Sequence, residues 1–543
     1  MKINIVANPN FKANYYTVEK RGKYYSLERI STDNAEKLGK KPVLQTNTEG
    51  VDCKFPMVYD GKYYTTELPS YINTYRIFYE DTGKYENDGK EQEIDTLHLT
   101  EIAMAEDRRY NKLPLEQSFV KGEACGKVFV NTFDIPKDIP AILILDEIKK
   151  EETLILDIPH NVKGVITTSC NFGMLSHAAN LTRNRISAMS IVWDKSIYNN
   201  LKNLQGKFIS INNENGILEC KEVEPELAKI KPQTIEKIQA PKLENVERLL
   251  NFDELTPQNC GNKGYRISLM QKLAKEGKLK DITIPNGFVI PEGYMKKYKE
   301  YIDVDDKEEW KKRIIDGIYT QDTENKVKEL GLPRQSLIIR SNFNTEDMGS
   351  FSSAGIYKSE IASACISIIN EAVFDIVKCS FEDSEAAQKV HKKYGIEYKD
   401  VQPSVIVQER IRPDYEFTVY SDDGDNNVII DLSDIKLGYA KPSNAVIKYN
   451  KKTKELRLEK NESPFAEYLI DEKDNIINQE HPKNRIDENW KVLSSLFGVV
   501  ASGALVLEKF FKHPQDIEGG IGKDGKVYFW QTRDIVAKAV KRI

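Results

Sequence analysis

Hydrophobic and polar positions change their pattern three times along the chain. From residue 1 to about 115, short alternating runs are broken by turn signals, and two segments look alike: "RGKYYSLERI" from Arg21 and "DGKYYTTELP" from Asp60. Each has a Gly turn, a Tyr-Tyr pair and a mixed polar run, as hairpin strands do. A β-rich N-terminal domain is therefore expected over 1–115. Its tyrosines are read either as packing on their own sheet or as stacking on flat ligands such as sugar rings, since aromatics favour strands in both cases. Over 116–222 the segments "KGEACGKVFV", "AILILDE", "VKGVITT", "AMSIVWD" and "KFISINN" read as strands, with a helix-compatible run from Ala178 to Arg183 between two of them. That is a compact α/β pattern. Residues 223–245 carry Lys, Glu, Pro and Gln with few large apolar side chains, which is linker composition. Residues 246–543 mix helices such as "GYRISLMQKLAKEG" with strands such as "SLIIRS", "PSVIVQER", "EFTVYS" and "KVYFWQTR".

Composition narrows the function classes. A chain of 543 residues has room for several cores, and its net charge of −5 gives no reason to expect nucleic acid as a partner. Seven unclustered cysteines read as reduced thiols of a cytoplasmic protein. The start, "MKINIVANPNFKANYY", holds no apolar core of signal-peptide length, and no run is read as a membrane span. The six histidines are His98, His160, His177, His391, His481 and His513; none pairs with a Cys or another His at ligand spacing, so no zinc site is expected.

His177 stands out by its setting. It follows Ser176 and opens the helix-compatible run, where unpaired backbone N–H groups bind phosphate oxygens and help keep an imidazole neutral and nucleophilic. Ser176 and Thr168 can donate to a phosphoryl group there, and Arg183 can pair with it. These residues, Thr168, Ser176, His177, Ala178 and Arg183, resemble the mobile phosphohistidine domain of the dikinases, among them pyruvate phosphate dikinase, phosphoenolpyruvate synthase, the rifampin phosphotransferases and the glucan water dikinases. The spacing from Thr168 through "LSH" to "TRN" looks most like the glucan water dikinase form.

Three further stretches carry the same resemblance. "CGNKGYRISLMQKLAKEGKLKDITIPNGFVIP" resembles the opening of the family's nucleotide-binding domain, with Lys263 matching its phosphate-contacting lysine between Gly261 and Gly264. "LIIRSNFNTEDMGSFSSAGIYKS" resembles the Arg-Ser-Ser-x-x-x-Glu-Asp stretch, which implies that Arg340 contacts ATP phosphates through its fork. "QDIEGGIGKDGKVYFWQTRDI" resembles the Asp-x-Glu hairpin with its Gln-x-Arg return. It puts Asp516 and Glu518 on one strand face, and Gln531 and Arg533 on the next. The resemblance gives Glu518 and Gln531 to Mg²⁺ bridging ATP phosphates, Asp516 to metal support and Arg533 to phosphate. Gln408, in "SVIVQERI", falls on the strand that resembles the adenine side. Where relatives have a Gly-Leu-Gly-Glu loop, this chain has "DIKLGYAKPSNAVI".

The expected architecture is α/β and α+β multidomain: a β-rich domain (1–115), a swivelling β/β/α phosphohistidine domain (116–222), a linker (223–245) and an ATP-grasp nucleotide domain (246–543). The resemblance implies an ATP- and Mg²⁺-dependent dikinase that moves the β-phosphate through His177 to a hydroxyl acceptor, glucan or small molecule, releasing AMP and phosphate. Placing the histidine domain first matches the glucan enzymes. No stretch after residue 543 could form a pyruvate-binding barrel of about 250 residues. Against a glucan, the first 115 residues hold no Trp; the four are Trp193, Trp310, Trp490 and Trp530. An antibiotic phosphotransferase of the rifampin type and a catalytically quiet nucleotide-binding regulator are the rival readings.

Overall fold

The computed structural model describes the chain from Asn14 to Ile535, leaving out residues 22–23, 49–50, 68–73, 111, 113–114, 147, 149–157, 169–181, 183–185, 226–238, 295–320, 334–336, 348–358, 363–368, 370–371, 374, 378–390, 393–394, 435–444, 462–464 and 481–484. Ser176, His177 and Arg183 therefore lie outside the described residues, as do the segments 348–355 and 435–444. The contacts divide the chain into two compact units.

The first unit is β-rich, as the Tyr-Tyr turns predict. Asn14–Arg21, Tyr24–Thr32, Tyr64–Glu67 and Val58–Tyr59 are successive neighbours in one antiparallel sheet. The two look-alike segments thus lie side by side, with Thr32 opposite Tyr64. The tyrosines of the second segment pack on rings of adjacent strands: Tyr64 on Tyr59 at 5.1 Å, and Tyr63 on Tyr15 at 4.7 Å. A second sheet pairs Val51–Pro56, Pro42–Thr48, Thr74–Tyr79 and Lys84–Tyr85. Strict alternation puts Tyr75, Ile77 and Tyr79 inward, against Tyr16, Val18 and Ile30 of the first sheet.

One part of this unit comes from far along the chain. Phe465–Asp471 pairs with Asn14–Arg21 along its whole length, with Tyr16 opposite Ile470 and Val18 opposite Tyr468, and Ile476–Glu480 extends the sheet beyond it. Tyr468 donates to Asp107 at 2.9 Å, and Arg29 pairs with Glu467. A linear reading places Glu462–Arg485 with the C-terminal domain, whereas its pairing places it in the first unit.

Among the described residues, the second unit contains three sheets. In the first, Val162–Thr167 lies between Ala188–Val192 and Ala141–Leu145, with Glu123–Val130 beyond the latter, all four parallel. Antiparallel strands Glu116–Val120 and Phe208–Asn212 flank them. "AILIL" and "AMSIV" are buried at every position, as central strands covered on both faces are. The helix expected from Ala178 lies outside the described residues, apart from Thr182.

The other two sheets hold the C-terminal chemistry. Gly287–Ile290, Val405–Glu409, Leu337–Ser341 and Ser359–Ala362 form an antiparallel sheet extended by Leu250–Asn251. Val527–Asp534, Gln515–Gly522, Pro413–Tyr420, Asn427–Asp434, Ala445–Asn450 and Leu456–Asn461 form the next, with Ile282–Thr283 at its edge. One face of that sheet is apolar, through Phe417, Val419, Ile430, Ile517 and Phe529, and shares its core with the helix Trp490–Phe511. This helix is 22 residues long and apolar enough to cross a membrane by length and composition, which corrects the expectation that no run reaches a span. Its Leu493, Phe497, Val500, Ala501, Ala504 and Leu507 are buried in the protein core, the usual reason for such a helix in a folded domain.

Candidate active site

The helix Asn262–Lys275 begins where "GNKG" predicts a turn. The glycines are required by close approach. A Cβ on Gly261 would overlap the carbonyl of Asn342, and one on Gly264 would lie 2.8 Å from Asn342 Nδ2. Gly264 N–H donates to Asn342 Oδ1 at 2.8 Å. The first helical turn is thus bound to the segment Ser341–Glu346 that follows the Arg340 strand.

This contact aims Lys263 inward. Its Nζ, on a residue 9% exposed, donates to Ser341 O at 2.9 Å, to Ser341 Oγ at 3.2 Å and to Glu346 Oε2 at 2.5 Å. Glu346 is 2% exposed, and its other oxygen accepts from Phe343 N–H at 2.9 Å. The sequence reading assigned Glu346 no role, although it sits in the quoted "NTED". The signal was a carboxylate six residues beyond Arg340, in a turn whose fold alone brings it to the lysine.

Across from Lys263, the polar face of the second sheet carries the remaining groups. Register puts Glu518 opposite both Gln531 and Thr418, and Asp516 opposite Arg533 and Tyr420, so all share one face. Arg340 reaches this face from the other sheet. It donates to Trp530 O at 3.1 Å, Gln531 Oε1 at 2.5 Å and Glu518 Oε2 at 3.3 Å. Arg533 donates to Asp516 Oδ2 at 2.7 Å and to Glu518 Oε1 at 3.4 Å. Lys263, Arg340, Gln408, Asp516, Glu518, Gln531 and Arg533 thus all belong to these two sheets and the helix packed with them. Gln408 is fully buried on the same strand face as Ile406, which pairs with Arg340. Its Nε2 donates to Pro285 O at 3.1 Å, and its Oε1 has no hydrogen-bond partner among the described residues.

Burial dominates the electrostatics. It raises Asp516 from its ordinary 3.8 to about 6; the Arg533 cation opposes the rise and the Glu518 charge adds to it. Arg533 moves up because the Asp516 and Glu518 carboxylates outweigh the burial that would lower it. Burial lowers Arg340 against the field of Glu518. A carboxyl group whose folded pKa exceeds its unfolded one holds its proton longer in the native state, so its stabilising contribution is present at low pH and is lost as pH rises through the folded value. The stability of the wild type relative to Asp516→Asn is accordingly expected to fall between about pH 4 and pH 6, by up to about 3 kcal/mol, and to level off above that. Paired thermal melts across this range measure it; a difference that does not change with pH would refute the buried-carboxyl assignment.

In the α/β sheet, Thr168 closes the end of its strand. It is 4% exposed, and its hydroxyl donates to Asp146 O at 2.5 Å. Its one proton is therefore committed to the main chain, whereas the sequence reading had it donating to a phosphoryl group. The Asp146 carboxylate, held below its usual range despite burial, pairs with Lys202 at 2.9 Å and accepts from Tyr198 and Asn131.

Two family models match the chain: the phosphohistidine-like domain of alpha-glucan water dikinase over residues 129–229, and the AMP/ATP-binding domain of pyruvate phosphate dikinase over 308–542. The two matches support the phosphohistidine dikinase family, close to glucan water dikinase. The first takes in Thr168, Ser176, His177 and Arg183 of this chain, and the second takes in Arg340, Gln408, Asp516, Glu518, Gln531 and Arg533. Neither reaches residues 1–128 or Lys263. The matches indicate an ATP-binding function of the phosphohistidine dikinase type. No curated protein matches the chain. Among solved structures it is similar to C-terminally truncated Cdc123 from Schizosaccharomyces pombe, at 12% identity and a TM-score of 0.23, over 48% of this chain and 82% of that one.

Proposed function

We propose that this dikinase moves the β-phosphoryl group of ATP through His177 to an acceptor hydroxyl, with a nucleotide held in ATP-grasp fashion between the two C-terminal sheets. The observation that carries the reading is the convergence of Arg340 and Arg533 on one buried, carboxylate-lined face, with the Lys263–Glu346 pair held to Ser341 next to Arg340. Buried cations in that number suit a triphosphate. Gln408 Oε1, a buried acceptor lacking a donor, suits the adenine amino group.

The donor set also fits Mg²⁺. Glu518 and Gln531 present hard oxygens from facing positions of one hairpin, with Asp516 beside them. When bound, the cation neutralises charge developing on the β- and γ-phosphates. Arg340 and Arg533 orient the phosphates, Lys263 steadies their charge and the two sheets exclude water. The His177 imidazole attacks the β-phosphorus, and AMP leaves with the bridging oxygen. Water then removes the γ-phosphate, leaving a monophosphoryl histidine. An acceptor hydroxyl attacks that phosphorus, the N–P bond to His177 breaks, and the hydroxyl proton goes to the departing imidazole. The 223–245 segment, a linker by composition, lets the histidine domain travel. The N-terminal part of the first unit, residues 1–115, which lies beyond both family matches, is the proposed holder of the acceptor, a glucan or a small hydroxylated molecule.

Parallel incubation with β-³²P-ATP and γ-³²P-ATP, without acceptor, tests this. Label from the β position is expected on the protein in an acid-labile, base-stable form, and label from the γ position as free phosphate. Protein-bound γ label with ADP as product would make the chain a simple kinase.

A further inference from the structure

The oxygens assigned to a divalent cation already accept hydrogen bonds from arginines. Gln531 Oε1 and Glu518 Oε2 both accept from Arg340 Nη2, at 2.5 and 3.3 Å, and Glu518 Oε1 accepts from Arg533 at 3.4 Å. A cation reaching Glu518 and Gln531 together must therefore displace Arg340. The guanidinium has reason to move, because its Nε is buried with no hydrogen-bond partner among the described residues. Nothing on the sheet completes its fork; an anionic oxygen would.

We propose that Arg340 is an exchange residue: it holds the metal-binding oxygens until a nucleotide triphosphate draws it off, so that nucleotide and divalent cation bind as a positively coupled pair. This rests on the nucleotide reading above. The triphosphate offers Arg340 the acceptors it lacks, Gln531 and Glu518 come free, and the cation takes their oxygens. Reciprocity requires that the cation tighten nucleotide binding by the same factor.

The test uses Mn²⁺ alone as probe, with the full chain free of nucleotide and binding read by electron paramagnetic resonance. Wild type, Arg340→Met and Arg340→Lys are compared, each with and without Glu518→Gln. Loss of the charge-assisted hydrogen bonds is expected to tighten Mn²⁺ binding about tenfold in Arg340→Met. A smaller gain is expected in Arg340→Lys, which keeps the charge but lacks the fork, and both gains should vanish with Glu518→Gln. A gain in the methionine variant without one in the lysine variant would reduce the effect to charge alone and overturn the exchange. Equal affinity in all three would do the same. Should Arg340→Met fail to fold, Arg340→Lys decides by itself. Equilibrium dialysis of wild type with ATP in EDTA tests the nucleotide reading separately. Failure there removes that reading, while the manganese comparison still decides whether Arg340 guards the oxygens.

Discussion

Glu346→Ala should lower the stability of the folded protein by about 3–5 kcal/mol, the usual result of removing one partner from a buried ion pair. Glu346 faces Lys263 at 2.5 Å, and both side chains are almost fully enclosed. Without the carboxylate, an ammonium group remains in a low-dielectric pocket with Ser341 as its one partner among the described residues. Phe343 N–H loses its acceptor as well. Glu346→Gln keeps that acceptor and should cost less. Lys263→Met combined with Glu346→Leu, which removes both charges, should recover most of the loss, because desolvation of the pair offsets much of its attraction. Urea midpoints at constant m-value report all three. A loss below about 1 kcal/mol for Glu346→Ala would mean that water reaches the pair.

His177→Ala should reduce transfer of β label to the protein by about 10⁴-fold or more, the scale on which covalent catalysis fails without its nucleophile. Nucleotide binding should survive, because Arg340, Gln408 and Arg533 belong to other sheets and Lys263 to the helix Asn262–Lys275. The comparison is therefore between label and the thermal shift given by ATP: the first disappears and the second persists. Among the other histidines, His98 is held by Asp474 and Lys195 and is a poor substitute. Persistent β label in His177→Ala would locate the phosphoryl carrier elsewhere.

Much of this fold is legible in the sequence wherever a local rule suffices. "AILIL" and "AMSIV" read as buried strands because both faces of a parallel strand are covered. Asp516 and Glu518 with Gln531 and Arg533 read as one face because a hairpin return fixes register. Partnerships set by the tertiary fold were not legible. That Glu346 meets Lys263, that Thr168 turns to Asp146, or that Arg340 sits on Gln531 depends on how separate segments pack. The Phe465–Asp471 strand illustrates the limit most plainly. It alternates like its neighbours in sequence, and nothing local tells which sheet it joins.

That strand also imposes an order on biosynthesis. Asn14 N–H bonds to Glu472 across 458 positions of chain. At roughly 5–20 residues per second of translation, the opening strand emerges about half a minute or more before its partner exists. Until then Asn14–Arg21 offers one bare edge to the cell, and exposed edges recruit other strands. A strand made early is therefore among the last to be completed, and a chain cut short before residue 465 would present an unfinished sheet rather than a shorter protein.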